Sequence, residues 1–156
     1  MWLSNELFRS VVASTPLISI DLVVQNSQGQ CLLGQRLNRP AKGDWFVPGG
    51  RILKNETLDA AFKRLTLEEL GKASQRNDAR LLGVYEHFYS DSVFADSGTG
   101  PDTHYVVLAY QIVLAEGDTL QPPRAQHDAY RWWPLIEMQT NEQVHSNTRA
   151  YLDALR

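Results

Sequence analysis

A chain of 156 residues, 43% hydrophobic and 21% charged, is long enough to bury a core and too short for two ordinary domains, so one domain over 1–156 is expected. A net charge of −3 gives no global attraction to nucleic acid or to an anionic membrane, and any phosphate binding must be local. The opening MWLSNELFRS carries no basic leader, no apolar run reaches bilayer length, and the single cysteine, Cys31, allows no disulfide within the chain. A cytoplasmic protein is the expectation.

Residues 4 to 13 place Leu7, Phe8, Val11 and Val12 at helical spacing behind Ser4, a good cap, and Pro16 stops the helix. Residues 17 to 25 alternate, with Ile18, Ile20, Leu22 and Val24 on one face and Ser19 and Asp21 on the other, which predicts a strand with one polar face. The turn-forming Asn26 to Gly29 leads to a second strand, Gln30 to Gln35, where Cys31 reads as a buried, inert thiol. A loop from Arg36 to Asp44 enters WFVPGG. Thr57 to Leu70 is helical, with a predicted apolar stripe of Leu58, Ala61, Phe62 and Leu65, and Gly71 stops it.

Strands are predicted over Arg80 to Tyr89 and Thr103 to Ala115, separated by a Ser-, Asp- and Gly-rich loop long enough to suggest function. A short strand near Tyr130 to Trp133 precedes a C-terminal helix, where Val144, Asn147, Thr148, Tyr151 and Leu152 suggest a packed face. There is no internal repeat and no low-complexity tract. Strands mixed with flanking helices indicate an α/β domain.

The chemistry is concentrated between Gly50 and Gly71, GRILKNETLDAAFKRLTLEELG. Carboxylates three or four residues apart share one side of a helix and can point into one site, where a hard cation takes oxygen ligands. At about 100° per residue, Glu69 falls on the stripe of Leu58, Phe62 and Leu65. A carboxylate on a buried face is costly unless paired or bound to metal. Glu68 lies one turn from Arg64 and reads equally as a helix ion pair, and Glu56 favours the helix N-terminus.

The spacing of Gly50, Glu56, Arg64, Glu68, Glu69 and Gly71 resembles the Nudix box of nucleoside-diphosphate hydrolases, except that Leu65 stands where that box has a glutamate. The segments STPLISIDLVVQNSQGQCLLGQRLNRPAKGDWFVPGGRILKNETLDAAFKRLT, HFYSDS, THYVVLAY and QHDAYRWW are similar to the GDP-mannose mannosyl hydrolase branch of the Nudix proteins, in which the Arg64-Leu65-Thr66 variant of the box is itself characteristic. The resemblance covers nearly the whole chain. It implies a mixed β-sheet sandwiched between α-helices, one Mg²⁺ (or Mn²⁺) per subunit, a homodimer, and no nucleic-acid or membrane partner.

The resemblance also implies roles. The Gly49 carbonyl, Glu69 and Gln126 would hold Mg²⁺ with the diphosphate, and His127 would be the general base. Arg36 and Arg51 would offset charge on the departing diphosphate; Asp21 and Tyr105 would hold the sugar. Trp2, Leu3 and Phe8 would lie against the guanosine. His87 reads either as an assisting group or as a core histidine. The implied reaction is attack of water on the anomeric carbon of GDP-mannose, with GDP-glucose a further candidate substrate. Two rivals stay open: a pyrophosphatase cleaving the phosphoanhydride of a nucleotide sugar, for which Glu68 would restore a second metal position, and a non-catalytic nucleotide-sugar sensor.

Overall fold

The computed structural model describes residues 2–37, 42–94, 100–123 and 127–155, with the side chains of His127 and Asp128 outside that description. Helix α1 (Asn5–Ser14) starts at Ser4, whose hydroxyl accepts a hydrogen bond from the Leu7 amide at 3.3 Å. Strand β1 (Leu17–Gln25) then runs through the middle of a mixed sheet. It is antiparallel to β2 (Cys31–Arg36) across the Asn26 turn and parallel to β6 (Thr103–Val113), from Leu17 opposite Tyr105 to Gln25 opposite Val113. Two short strands, β3 (Trp45–Phe46) and β4 (Gly49–Arg51), pair with β2 and β1 respectively. Strand β5 (Arg80–Tyr89) forms the edge beside β6, and β7 (His127–Trp133) pairs with β2.

The central position of β1 corrects one expectation. Its second face is not presented to water: Ser19 and Val23 are buried and Asp21 is partly buried, because that face is covered as well. Ile18, expected with the apolar set, is 51% exposed, one step before the stretch that is packed. Helix α2 (Leu58–Leu70) covers the first face, joining Ala61, Phe62, Leu65 and Leu70 to Ile20, Leu22 and Val24. Thr57 caps this helix by accepting from the Ala60 amide at 3.1 Å, and Gly71 ends it in the left-handed conformation at φ 75°. Leu58, placed on the stripe by its spacing, stays at the surface in the first turn, and the packed stripe begins at Ala61.

The other face is covered by the C-terminal region. In place of the single helix expected there, two short ones form, α3 (Leu135–Thr140) and α4 (Ser146–Arg149), followed by a 3₁₀ turn at Leu152–Ala154. Met138, Val144 and Tyr151 pack with Val23, Cys31, Leu33, Val47, Ala109 and Trp133. The layering is α/β/α, with both faces of the central strands covered. Cys31 is fully buried, and burial pushes its thiol up to about 12, which leaves it unreactive. Among the described residues no helix is long and apolar enough to cross a membrane.

Candidate active site

Strand alternation sends Ser19 and Asp21 away from α2, and the sheet register brings chemistry from three further strands beside them. Gly49 lies opposite Asp21 and Arg51 opposite Ser19, while His87 on β5 lies opposite Tyr105 on β6. Together with Arg36, Phe46 and Tyr89 these residues line a cavity of about 200 Å³. Five residues singled out from the sequence, Asp21, Arg36, Gly49, Arg51 and Tyr105, thus meet in one place.

Asp21 has the partner that a carboxylate at mid-strand requires. The Tyr151 hydroxyl donates to its Oδ2 at 2.5 Å, and the Nε2 of His87 stands 3.4 Å from that hydroxyl. Burial raises the Asp21 carboxyl to about 6, against the opposing effects of the Tyr151 bond and the Arg36 charge. Burial also pulls His87 down to about 4, with His145 adding to the fall, so His87 is neutral at physiological pH.

Arg51 connects the cavity to α1. Its guanidinium lies 4.7 Å from the Phe8 ring centroid and 6.0 Å from that of Trp2, cation–π distances. Trp2, Leu3 and Phe8 do not line the cavity itself. Phe8 also meets the Phe94 ring edge-on at 5.7 Å, so α1 is in contact with the loop that follows β5.

Along the box, Arg64 organises the carboxylates. It pairs with Glu56 at 2.6 Å and Glu68 at 3.0 Å, and donates to the Arg51 carbonyl at 2.9 Å. Glu56 in turn accepts from the Leu53 amide at 2.9 Å, so it fixes the loop entering α2. Glu68 is taken up by the helix ion pair, one of the two readings open for it from sequence. Leu65 is 2% exposed, and its Cδ2 fills the space that a Cβ on Gly50 would need.

Glu69 is 4% exposed, as its place on the stripe requires. Burial pushes its carboxyl up to about 7; Glu68 adds to the rise, while Arg36 and Arg64 oppose it. Gly49, the other expected metal ligand, sits where even a methyl group would meet the Ile20 carbonyl at 2.5 Å and Asp21 Oδ1 at 2.6 Å. A buried carboxylate and a backbone carbonyl are hard oxygen donors, and they suit Mg²⁺. Among the described residues there is no cluster of three or more His, Cys, Asp and Glu that could hold a metal ion.

Gln126 lies outside the described residues. The backbone of His127 is paired with Arg36, which brings the start of β7 alongside the arginine that lines the cavity. Tyr89, Phe46, Ser19 and Tyr151 are not singled out for the site by sequence. Tyr89 carries a signal, since it alternates with His87 on β5; Tyr151, 130 residues from Asp21, carries none beyond packing.

Comparison with known proteins places the chain in a family. The chain is 38% identical over 151 residues to the low-salt glycan biosynthesis protein Agl8 of Haloferax volcanii, covering 97% of this chain and 89% of the relative. Its fold is similar to that of a MutT NUDIX hydrolase from Burkholderia pseudomallei, with a TM-score of 0.70, 26% identity, and coverage of 92% and 100% of the two chains. It is similar also to a MutT protein from Methanosarcina mazei Go1, with a TM-score of 0.71, 19% identity, and coverage of 91% and 94%. The NUDIX domain family model matches residues 15–155, from the start of β1 to the end of the C-terminal segment, and the chain belongs to the NUDIX hydrolase family.

Proposed function

We propose that this Nudix hydrolase is a GDP-mannose mannosyl hydrolase, converting GDP-mannose and water to GDP and β-mannose. The observation that carries the reading is Leu65. It is lodged against Gly50 in place of a carboxylate, while Glu56 and Glu68 are engaged by Arg64. Of the three glutamates of the box, Glu69 alone is turned into the buried face. That donor set suits one cation better than a pair, and one cation is enough to stabilise a diphosphate as a leaving group.

In this reading the sugar sits in the cavity against Asp21 and Tyr105, and Arg36 and Arg51 meet the diphosphate through paired donors. His127 accepts a proton from water as the water oxygen bonds to the anomeric carbon. The bond from that carbon to the diphosphate oxygen breaks on the opposite side, its electron pair leaving with GDP, so the configuration inverts. Glu69, the Gly49 carbonyl and Gln126 would hold Mg²⁺, or Mn²⁺ in its place, and the ion would supply positive charge to the leaving diphosphate. GDP-glucose is a second substrate, the working form is a homodimer, and Trp2, Leu3 and Phe8 lie against the guanosine. The similarity to a glycan biosynthesis protein supports a nucleotide-sugar substrate over other diphosphates.

Hydrolysis in heavy-oxygen water tests the mechanism. Label should appear in mannose and not in GDP; label in a phosphate product would replace this reading with phosphoanhydride cleavage. Tight binding of GDP-mannose without turnover in Mg²⁺ or Mn²⁺ would favour a sensor.

A further inference from the structure

We infer that Tyr151, from the C-terminal segment, is the positioning residue that aims Asp21 at the substrate. The inference rests on the reading of the cavity as a sugar site and extends it to a residue outside that cavity. Asp21 is held differently at its two oxygens. Oδ2 accepts the Tyr151 hydroxyl at 2.5 Å; Oδ1 lies 2.6 Å from where a Cβ on Gly49 would stand, so it occupies space that only a glycine leaves open. One oxygen is therefore tied to the C-terminal layer, and the other faces the glycine bend that lines the cavity. A carboxylate bound through one oxygen keeps one rotamer and has lone pairs left for a ligand hydroxyl.

The anchor is itself fixed. Tyr151 is 1% exposed, and the Tyr85 ring meets it edge-on at a centroid distance of 4.8 Å. His87 Nε2, 3.4 Å from the Tyr151 oxygen, faces the hydroxyl from the β5 side. A tyrosine hydroxyl has one proton, and here it is spent on Asp21, so the tie has a fixed direction. The rest of the Tyr151 side chain packs with Val23, Ala109 and Val144. Ring and hydroxyl thus do separate work: the ring belongs to the core, and the hydroxyl belongs to the site.

Tyr151→Phe keeps the ring and deletes only the hydroxyl. Steady-state kinetics in Mg²⁺, giving the KM for GDP-mannose and the competitive inhibition constant of GDP, read the consequence. The variant should bind GDP-mannose roughly tenfold more weakly, the order expected for a lost hydrogen bond to a charged group, and bind GDP within about twofold of wild type. Asp21→Asn should show the same selectivity, and the double variant should be no worse than Asp21→Asn alone, since residues that act through one another are not additive. Equal losses for GDP and GDP-mannose, losses that multiply in the double variant, or failure of Tyr151→Phe to fold would each overturn the assignment, because each marks a merely structural hydroxyl.

A crystal structure of Tyr151→Phe separates this inference from the functional reading. The Asp21 carboxylate should leave its bearing on Gly49, and an unmoved carboxylate overturns the positioning role whatever the substrate. Wild-type protein that binds GDP and ignores GDP-mannose would sink the mannoside reading while leaving that structural result to stand or fall by itself.

Discussion

A side chain at position 65 decides how many carboxylates face the buried side of α2, and a leucine there leaves Glu69 without a neighbour one turn earlier. Asp21, Arg36 and Arg51 line the cavity, Glu69 does not, and Arg36 acts on the Glu69 carboxyl from the cavity side; two guanidinium groups there suit an anionic leaving group. Two substitutions separate the roles proposed for single residues. His127→Gln should lower turnover by roughly 10²–10⁴, the range for a removed general base, with Mg²⁺ affinity retained; steady-state kinetics together with Mn²⁺ binding followed by electron paramagnetic resonance measure both. Unchanged turnover would remove His127 from the reaction. Glu69→Gln should instead weaken metal binding by at least roughly tenfold, and an equal affinity would contradict its role as a ligand.

At the scale of elements, the site depends on how closely β4 approaches its neighbours. Gly49 has the backbone carbonyl of Ile20 on one side, whereas Gly50 has only the tip of the Leu65 side chain above it. A backbone cannot retreat as a leucine methyl can. Gly49→Ala should therefore cost more stability than Gly50→Ala, with Gly50→Ala falling in the range of about 1–3 kcal/mol typical of overpacking, as measured by urea unfolding; the reverse order would show that β4 moves freely against β1. Period and punctuation make β1, β2, α2, β5 and β6 legible in the sequence, as well as the burial of Glu69, because each is a local pattern. The covered second face of β1 is not legible, since alternation tells which residues share a face and not what lies on it. Neither is the division of the C-terminal region into α3, α4 and a 3₁₀ turn, where four- and six-residue helices are too short to show a period. Asp21 can be read as needing a partner, but Tyr151 cannot be named, because that contact is made by the fold across 130 positions.

For the whole molecule, the proposed metal ligand carries a cost in stability that depends on pH. The Glu69 carboxyl titrates near 7 in the folded chain against an ordinary value of 4.5, so the folded state holds its proton more tightly. Its stabilising contribution is complete below about pH 4.5 and is lost as the pH rises through 7, with no further change above. Each pH unit separating the folded from the ordinary value is worth about 1.4 kcal/mol, so the loss is on the order of 3 kcal/mol. Glutamine at this position cannot ionise, and the other titrating groups remain in both proteins. With metal chelated, Glu69→Gln should therefore match wild type near pH 4.5 and exceed it by a few kcal/mol at pH 8 in denaturant unfolding. Mg²⁺ should narrow that gap, because it binds the ionised carboxylate of the folded chain: at a hundred times its dissociation constant it adds about 2.7 kcal/mol to wild type, and about 1.4 kcal/mol to a variant that binds tenfold more weakly. A variant no more stable than wild type at pH 8 without metal would mean that Glu69 is already compensated by Arg36 and Arg64, and that its burial does not await a cation.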